Sequence, residues 1–411
     1  MSEQQLSAKE LKAKRRAEKV KQRAAAQGQA APVPGKPAQN QKGGPKQLLQ
    51  QQQQPLVPAE RRMALFNHLE THGKSTTAQA PKEVHPAVLS LALQYSEYKV
   101  LGSTDRCKAM LEAFKQVIRD YTTPSGTTLS RNLTTVLSHQ IDFLKSARPL
   151  SISMGNSIRW LKQEISKVSI DVSEPVAKTG LIEAIDSFVR DRIDIADQVI
   201  VSSAVQSIED DAVILTYARS SVVQQTLIKA HEEGKKFRVI VVDSRPLFEG
   251  KKAAKELAEH GIRCTYVLLT ALPYVIKEVT TVFLGAHAMV SNGLLYSRVG
   301  TAMVATAAKS RNIPVVVLCE SIKFADRVQL DSVTFNELSS PDLLTDLSKD
   351  PENKRVPSEA LKDWRDEPNL GVLSILYDLS PVGTIKKVIT ELGSLPASSV
   401  PVVLREYKAS I

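Results

Sequence analysis

Residues 237–243 read FRVIVVD, a run rich in β-branched side chains that has the length of one β-strand and no alternating polar face. Four more runs of this kind stand at 212–217, 264–269, 314–319 and 372–378. Continuous apolar runs of this length are typical of strands that are buried on both faces, as in a parallel sheet. These runs therefore predict a parallel sheet in the C-terminal half of the chain.

Helical patterns separate most of these runs, at 222–233, 251–260 and 300–309. Gly234 and Gly261 follow the first two patterns, at the position where glycine often ends a helix. Strands that alternate with helices predict a sheet covered on both faces, and such sheets bind ligands beyond the carboxyl ends of their strands. We therefore expect a Rossmann-like α/β domain with a crevice at that edge.

Upstream of the sheet, apolar residues recur at helical spacing, and the longest such pattern lies near 179–206. Residues 1–58 are poor in aliphatic side chains and rich in Gln, Ala, Lys, Pro and Gly, a composition that cannot bury a core. The predicted fold class is α/β. It comprises a disordered basic, Gln-rich tail at 1–58, an all-helical domain at 59–207 and a Rossmann-like parallel-sheet domain at 208–411.

The charge of the chain is concentrated in the tail. Residues 1–54 carry eleven Lys and Arg against three Glu, so most of the net charge of +10 lies there and the remainder is nearly neutral. Such a tail is either simply solvated or makes weak electrostatic contact with RNA, an acidic protein face or an import receptor. The basic stretch from Lys9 to Arg23 holds no aromatic side chain for base stacking, so sequence-specific recognition of nucleic acid is not expected.

Three widely spaced cysteines argue against a disulfide framework and against a zinc site. No apolar run approaches the roughly 18 residues that cross a bilayer, and the N-terminus lacks the apolar stretch of a signal peptide. The phosphate-binding motifs GxxxxGK[ST] and GxGxxG and the metal motifs HExxH and CxxC are absent from the sequence. We therefore expect a cytosolic protein that uses no metal and no cofactor and enters no membrane.

Polar side chains follow several predicted strands at the edge where the crevice is expected. Arginines at such a rim suit a phosphate group, through their charge and their paired hydrogen bonds. The same charges could equally well pair with one another and fix the loops. The candidate residues of this ligand pocket are Arg219, Ser220, Asp243, Arg245, His287, Asn292, Arg298 and Asp378.

Several motifs at these strand ends resemble those of one protein family. They are DSRPLFEG at 243–250, GAH at 285–287, SNG and RVGT within 291–301, and YDLSP at 377–381. This family joins the methylthioribose-phosphate and ribose-bisphosphate isomerases to the alpha, beta and delta subunits of translation initiation factor 2B. The resemblance extends from about Ser130 to the C-terminus and implies the α/β fold of that family.

The isomerases of this family use a Cys after the first strand and the Asp of a Gly-Ala-Asp motif as their proposed acid/base pair. The corresponding positions hold Ala218, which cannot transfer a proton, and His287, which would have to act alone. The isomerases also carry an Arg-Gly-Ala loop near the phosphate, and its nearest counterpart is Arg106-Cys107-Lys108, without the small residues. The resemblance thus implies a protein that is not an enzyme and a vestigial pocket; isomerisation by His287 alone is the less favoured reading.

Within the family, the chain is most similar to the delta subunits. It shares with them a long Lys-rich N-terminal extension and the run from Asp142 to Lys162, in which LSISMGN follows Arg148-Pro149. The similarity implies a non-catalytic regulatory subunit of the guanine-nucleotide exchange factor complex that acts on translation initiation factor 2 and senses phosphorylation of that factor's alpha subunit. The alternative is a metabolite- or RNA-binding module on a degenerate isomerase fold.

The resemblance also implies partners: the beta subunit most directly, the alpha and catalytic subunits, and initiation factor 2 itself. A candidate subunit interface is the stretch Leu294, Leu295 and Tyr296, which is apolar where the isomerases are more polar. A simple core segment is an equal alternative for this stretch. Basic side chains could capture a phosphoserine, but the helical domain offers only general candidates for that role. They are Arg131, Arg148, Arg159 and Lys162.

Overall fold

The computed structural model describes residues 63–69, 81–345, 361 and 363–409, with side chains up to residue 405. These residues all belong to one unit, Gln54–Ile411. The predicted tail at 1–58 lies outside the described residues. The domain boundaries that the sequence suggests therefore stay predictions, while the succession of helices and strands can be compared directly.

The N-terminal part is helical, as predicted. Its α-helices are α1 Pro86–Ser96, α2 Ser103–Asp120, α3 Leu129–Ala147, α4 Ile152–Lys167, α5 Glu174–Val189 and α6 Ile195–Val205. A π-helical turn, Arg190–Asp194, joins α5 to α6. The helix predicted near 179–206 is therefore a continuous helical stretch with one irregular turn.

Helical spacing explains how these helices pack. Val88, Leu91 and Tyr95 are buried on α1, and Met110 and Phe114 are buried on α2. With apolar side chains of α3, α4 and α5 they form one cluster. Each fully buried aliphatic or aromatic side chain contributes about 1.5–3 kcal/mol relative to exposure, so this cluster holds the helices together.

Strands begin where the helical pattern ends. The strands are β1 Ala212–Tyr217, β2 Phe237–Asp243, β3 Arg263–Leu268, β4 Thr281–Gly285, β5 Ala288–Val290, β6 Leu295–Arg298, β7 Val315–Leu318, β8 Phe324–Ala325, β9 Tyr377–Ser380, β10 Lys387–Thr390 and β11 Gly393–Leu395. The larger sheet has the order β11-β10-β7-β4-β1-β2-β3. Its strands are parallel except for β11, which runs antiparallel to β10. The α/β fold class is confirmed.

Helices cover the sheet between the strands. The helices of this part are α7 Ser221–Glu232, α8 Glu249–Glu259, α9 Leu272–Val275, α10 Thr301–Ser310, α11 Asp342–Thr345 and α12 Val400–Ala409. Gly234 and Gly261 follow α7 and α8 with φ of +88° and +83°. Both therefore adopt the left-handed conformation that ends a helix, as the sequence predicts.

The strand predicted at 372–378 is wrong both in its bounds and in the sheet to which it belongs. The structure has β9 at Tyr377–Ser380 and pairs it antiparallel with β6, in a second sheet of order β8-β5-β6-β9. The position beside β7 in the larger sheet belongs instead to β10. An apolar run indicates a buried strand, but the partner of that strand is decided by contacts distant in the sequence.

The edge strand β3 also departs from the prediction of strands that are buried on both faces. All residues of β1 are buried, whereas Tyr266 and Leu268 of β3 are among the exposed large hydrophobic residues. The difference follows from position, because β1 lies inside the sheet and β3 ends it. Similar sequences thus give different burial at the centre and at the edge.

Candidate functional site

A pocket opens at the carboxyl ends of β1 and β2, where the sequence places the crevice. Ala218, Asp243, Arg245 and Arg298 line it together with the start of α8, and its volume is about 260 Å³ including the open mouth. The structure therefore brings together Asp243, Arg245 and Arg298 of the predicted ligand residues. Since arginines recognise anions, the pocket has the charge that a phosphate group requires.

Arg298 is already held by a carboxylate. Its Nε lies 2.6 Å from Oε2 of Glu249, and its Nη2 lies 3.2 Å from Oε1, so the pair is bidentate. Burial alone would lower the pKa of Arg298, but the carboxylate of Glu249 raises it above the ordinary value. Within the described chain, the Nη1 atom of Arg298 is buried and has no hydrogen-bond partner. Two nitrogens of the Arg298 guanidinium are thus bound to Glu249, and the third has no hydrogen-bond partner among the described residues.

The two aspartates of the predicted pocket cap loops and helices. Asp243 accepts hydrogen bonds from the backbone N–H groups of Ser244 and Lys251, at 2.9 and 3.2 Å, and from the Tyr266 hydroxyl. Burial raises the pKa of Asp243. These contacts anchor the loop between β2 and α8, so the carboxylate has a structural task at the rim.

Asp378 occupies the N-terminus of α10. Its Oδ2 accepts hydrogen bonds from the N–H groups of Gly300 and Ala302, at 2.6 and 3.1 Å. The N-terminus of a helix attracts anions, and here the chain supplies the anion itself. Burial raises the pKa of Asp378 to about 7. The backbone N–H groups at the start of α10 are therefore already occupied by a side chain of the same protein.

The other predicted ligand residues lie elsewhere. Arg219 faces Glu256 at 3.3 Å on the half-exposed surface of α8. Ser220 lies at the start of α7, and Asn292 lies in the turn between β5 and β6, where it donates a hydrogen bond to the carbonyl oxygen of Gln329. Arg219, Ser220 and Asn292 do not line the pocket of Asp243 and Arg245.

His287 and Ala218 stand at the acid/base positions of the isomerases. The half-buried His287 ring packs against two aromatic rings, with centroids 4.4 Å from Tyr377 and 5.6 Å from Tyr296. Burial, strengthened by the positive charge of Arg298 and other cations, lowers the pKa of His287 well below its ordinary value. The imidazole is therefore neutral although the residue is only half-buried, and the methyl group of Ala218 offers no proton.

Two buried arginines of the helical part reach the same region. Arg106 on α2 donates to the carbonyl oxygen of Pro149, and burial, together with the charge of Arg148, lowers its pKa to about 10. Arg148 follows α3, and its Nε lies 2.5 Å from Glu337. Within the part of the chain that the structure describes, Arg106 Nε and Nη1 and Arg148 Nη1 have no hydrogen-bond partner.

The sequence did not connect Arg106 and Arg148 with the strand ends by local pattern, because both lie in the helical part, well before the first strand begins at Ala212. Their charges act on His287, as that of Arg298 does. Arginines from the helical part and from the strand ends thus contribute positive charge to the same region around His287. The packing of the helical part against the sheet brings these arginines close to His287, and local sequence patterns do not predict that packing.

The candidate subunit interface is largely covered by the chain itself. Leu295 and Tyr296 belong to β6 and are buried, at 0% and 5% exposure, while Leu294 is half-buried. Leu295 packs in the core beneath the larger sheet. These positions fit the core segment that the sequence left as the alternative, so the stretch offers a partner mainly Leu294.

Among the described residues, no cluster of three or more His, Cys, Asp and Glu is placed to hold a metal ion. Across the same residues, no helix has the length and the apolar character needed to span a bilayer.

A family comparison assigns the chain. The model of the initiation factor 2 subunit family matches residues 99–397, which include helices α2 to α6, the pocket and both sheets. The chain belongs to the initiation factor 2 subunit family.

Two relatives within the initiation factor 2 subunit family are similar over most of their length. Translation initiation factor eIF2B subunit delta of Schizosaccharomyces pombe is 46% identical over 99% of this chain and 91% of the relative. The crystal structure of the tetrameric eIF2B beta2-delta2 complex from C. thermophilum contains a chain with 37% identity and a TM-score of 0.70, covering 81% of this chain and 99% of that one. The predicted similarity to delta subunits is confirmed, and with it the role of a subunit of this translation factor.

The isomerases of the family are more distant. Ribose 1,5-bisphosphate isomerase of Pyrococcus furiosus is 28% identical over 78% of this chain and 93% of the relative. The more similar relatives are subunits of a translation initiation factor, a regulatory role, so the prediction that the chain is not an enzyme is supported.

Proposed function

We propose that this chain is a non-catalytic regulatory subunit of the guanine-nucleotide exchange factor complex that acts on translation initiation factor 2. The observation that carries the proposal is the 46% identity to an eIF2B delta subunit along 99% of the chain. The proposed location is the cytosol, where translation initiation takes place.

The proposed partners follow from the same similarity. A delta subunit is found with beta subunits in the C. thermophilum tetramer, so a beta-type subunit is the most direct partner that we propose. The alpha subunit, the catalytic subunits and initiation factor 2 complete the proposed assembly. Ala218 supports a role through binding, because its methyl group cannot transfer a proton and leaves His287 without the partner of the isomerase acid/base pair.

The proposed sensing of phosphorylation is assigned to the helical part. Arg131 on α3 and Arg159 on α4 are exposed, and Lys162 lies beside α3, with its Nζ 3.0 Å from the Ser138 hydroxyl. Ser138 stands seven residues after Arg131, so it lies on the same side of α3. These three basic residues are therefore the candidates that we propose for receiving a phosphoserine.

Arg148, the fourth general candidate, is much less suited to that role. It is 1% exposed and held by Glu337, so a phosphoserine on another protein would have to displace a buried ion pair to reach it. The proposal for sensing accordingly rests on Arg131, Arg159 and Lys162.

The proposal is tested by nucleotide exchange. The assembly purified through the tagged chain is mixed with GDP-loaded initiation factor 2, phosphorylated or unphosphorylated on its alpha subunit, and GDP release is followed. We expect exchange to be inhibited by the phosphorylated factor, and inhibition to weaken in the double variant Arg131→Ala/Arg159→Ala. Arg311→Ala, which removes an exposed arginine after α10, is the matched control. Unchanged inhibition in the double variant would refute the assignment of the sensing surface.

A second candidate function is binding of a small anion in the pocket. It is favoured by the unpaired buried Nη1 atom of Arg298, which lines the pocket, because unpaired buried donors are costly unless a ligand or water satisfies them. Calorimetric titration of the full chain with ribose 1,5-bisphosphate and with inorganic phosphate tests it. We expect binding that is weakened by Arg245→Ala at the mouth of the pocket and unaffected by Arg219→Ala outside it. Absence of binding by either anion would remove this candidate.

A further inference from the structure

A buried charged cluster joins the helical part to the sheet just past the carboxyl end of β7. It consists of Asp197 on α6, Glu320 directly after β7 and Lys323 in the short turn Ser321–Lys323, and we name it the joint. Asp197 is 7% exposed, Glu320 is 0% exposed and Lys323 is 6% exposed. The joint is separate from the pocket of Asp243 and Arg245, and the proposed function does not use it.

The contacts of the joint tie several elements to one carboxylate. The Nζ of Lys323 lies 2.7 Å from Oε2 of Glu320, and the Thr104 hydroxyl on α2 donates to Oε1 at 3.0 Å. The side chain of Asp197 meets that of Glu320 at hydrogen-bond range. Within the described chain, the Oδ1 atom of Asp197 is buried and has no hydrogen-bond partner.

The charges of the joint do not balance when both acids are ionised. Two carboxylates then face one lysine, and like charges in contact inside a protein cannot both remain ionised without cost. Lys108 on α2 is the nearest further cation, but it lies 2.5 Å from Asp194. Glu391 faces the other side, where it accepts hydrogen bonds from the N–H and hydroxyl of Ser321.

Two further titratable groups near the joint are thiols. Burial raises the pKa of Cys107 on α2 to about 11 and that of Cys319 well above its ordinary value, so both are neutral near pH 7. Neither thiol supplies the missing positive charge. A proton shared between the two acids restores the balance and also supplies the donor that a contact between two carboxyl groups requires.

We propose that Asp197 and Glu320 share one proton, and that this proton makes the joint a pH-sensitive fastening of helices α2 and α6 to the end of β7. Loss of the proton places two negative charges side by side and loosens the attachment of α6. Both helices belong to the part of the chain that packs against the sheet, so the proton couples pH to the attachment of the helical part.

The ionisation of the two acids supports this arrangement. Burial, followed by the charge of Glu320, raises the pKa of Asp197 to about 8. Burial acts in the same sense on Glu320, but the ammonium group of Lys323 holds the pKa of Glu320 below its ordinary value. The proton therefore resides on Asp197, and Glu320 remains the anionic partner of Lys323.

The sign of the pH effect follows from proton counting. In the closed joint Asp197 releases its proton near pH 8, whereas an exposed aspartate releases it near pH 4. Between these values the closed form binds one proton more than the open form. Raising the pH over this range therefore favours opening, and above about pH 8 the effect levels off because both forms have lost the proton.

The test is hydrogen–deuterium exchange of the full chain in its purified assembly, followed by mass spectrometry between pH 6 and pH 9. After correction for the intrinsic exchange rate, we expect protection of peptides from α2 and α6 to fall by up to about tenfold per pH unit from pH 6 to pH 8. Protection in α3, which does not contribute to the joint, serves as the internal reference.

Variants assign the effect to its residue. Asp197→Asn cannot lose a proton but keeps a donor toward Glu320, so we expect the slope in α2 and α6 to disappear. Asp186→Asn on α5 removes an exposed carboxylate that pairs with Lys115, and it should keep the slope. A flat profile in the unaltered chain would overturn the proposal even if Asp197→Asn failed to fold. An equal slope in wild type and Asp197→Asn would overturn it as well.

Discussion

The pocket at the ends of β1 and β2 and the joint directly after β7 both contain buried charged side chains, but these charges are compensated in different ways. In the joint, Glu320 and Lys323 form an ion pair, and a proton balances Asp197. In the pocket, Glu249 compensates Arg298, but nitrogens of Arg298 and of nearby Arg106 stay unpaired. The buried ion pair of the joint fastens elements together, whereas the buried arginine nitrogens that lack partners remain available to a ligand or to water.

Breaking the joint should have the largest effect. Glu320→Ala leaves the Lys323 ammonium buried without its partner, and removal of one member of a buried pair costs about 3–5 kcal/mol. We expect the midpoint of urea denaturation to fall accordingly, or the soluble yield to collapse. Glu233→Ala, an exposed glutamate after α7, should leave the midpoint within about 0.5 kcal/mol of wild type. Equal midpoints for Glu320→Ala and wild type would contradict this account of the joint.

A smaller effect is expected where backbone conformation shapes the pocket. Gly300 has a φ of +107°, and a Cβ there would collide with the hydroxyl of Tyr217. Gly300→Ala should therefore lower stability by about 1–3 kcal/mol in thermal denaturation. The matched control is Gly155→Ala inside α4, where the added Cβ meets no atom within 4 Å and should raise stability by about 0.5–1 kcal/mol. The same sign of change for both variants would refute the argument.

The smallest effect is expected at the exposed side of the former ligand set. Arg219 and Glu256 lie 3.3 Å apart with about a third of each side chain exposed, and exposed pairs contribute at most about 1 kcal/mol. Arg219→Ala should therefore change the urea midpoint only slightly, and 0.5 M salt should reduce the difference further. A loss comparable to that of Glu320→Ala would show that exposure does not separate these two groups of charges.

The sequence predicted the positions of the strands better than it predicted which strands pair with each other. Strands β1 and β2 were predicted to the residue, because a buried run of β-branched side chains has few other interpretations. The sequence alone did not reveal β10, whose apolar content is limited to Val388 and Ile389, and it placed the run that ends in β9 in the wrong sheet. Sheet membership depends on pairings between distant residues, which local patterns do not contain.

The candidate site was predictable to the same depth. The rule that ligands bind beyond the carboxyl ends of parallel strands correctly predicted that Asp243, Arg245 and Arg298 lie together in one pocket. The same rule wrongly included Arg219. This side chain pairs with the carboxylate of Glu256 outside the pocket, a contact that the sequence does not show. Neither the rule nor the composition indicated Asp197, because a buried acid with a shifted pKa is defined only by its surroundings in three dimensions.

The central claim is that this chain acts inside a translation-factor assembly and not as a free-standing isomerase. The most direct measurement is native mass spectrometry of the tagged chain purified from its own cells. The account predicts a large assembly that contains sister subunits of the same family, an exchange-factor subunit of another fold, and initiation factor 2. A lone homodimer or homohexamer that turns over ribose 1,5-bisphosphate would contradict it.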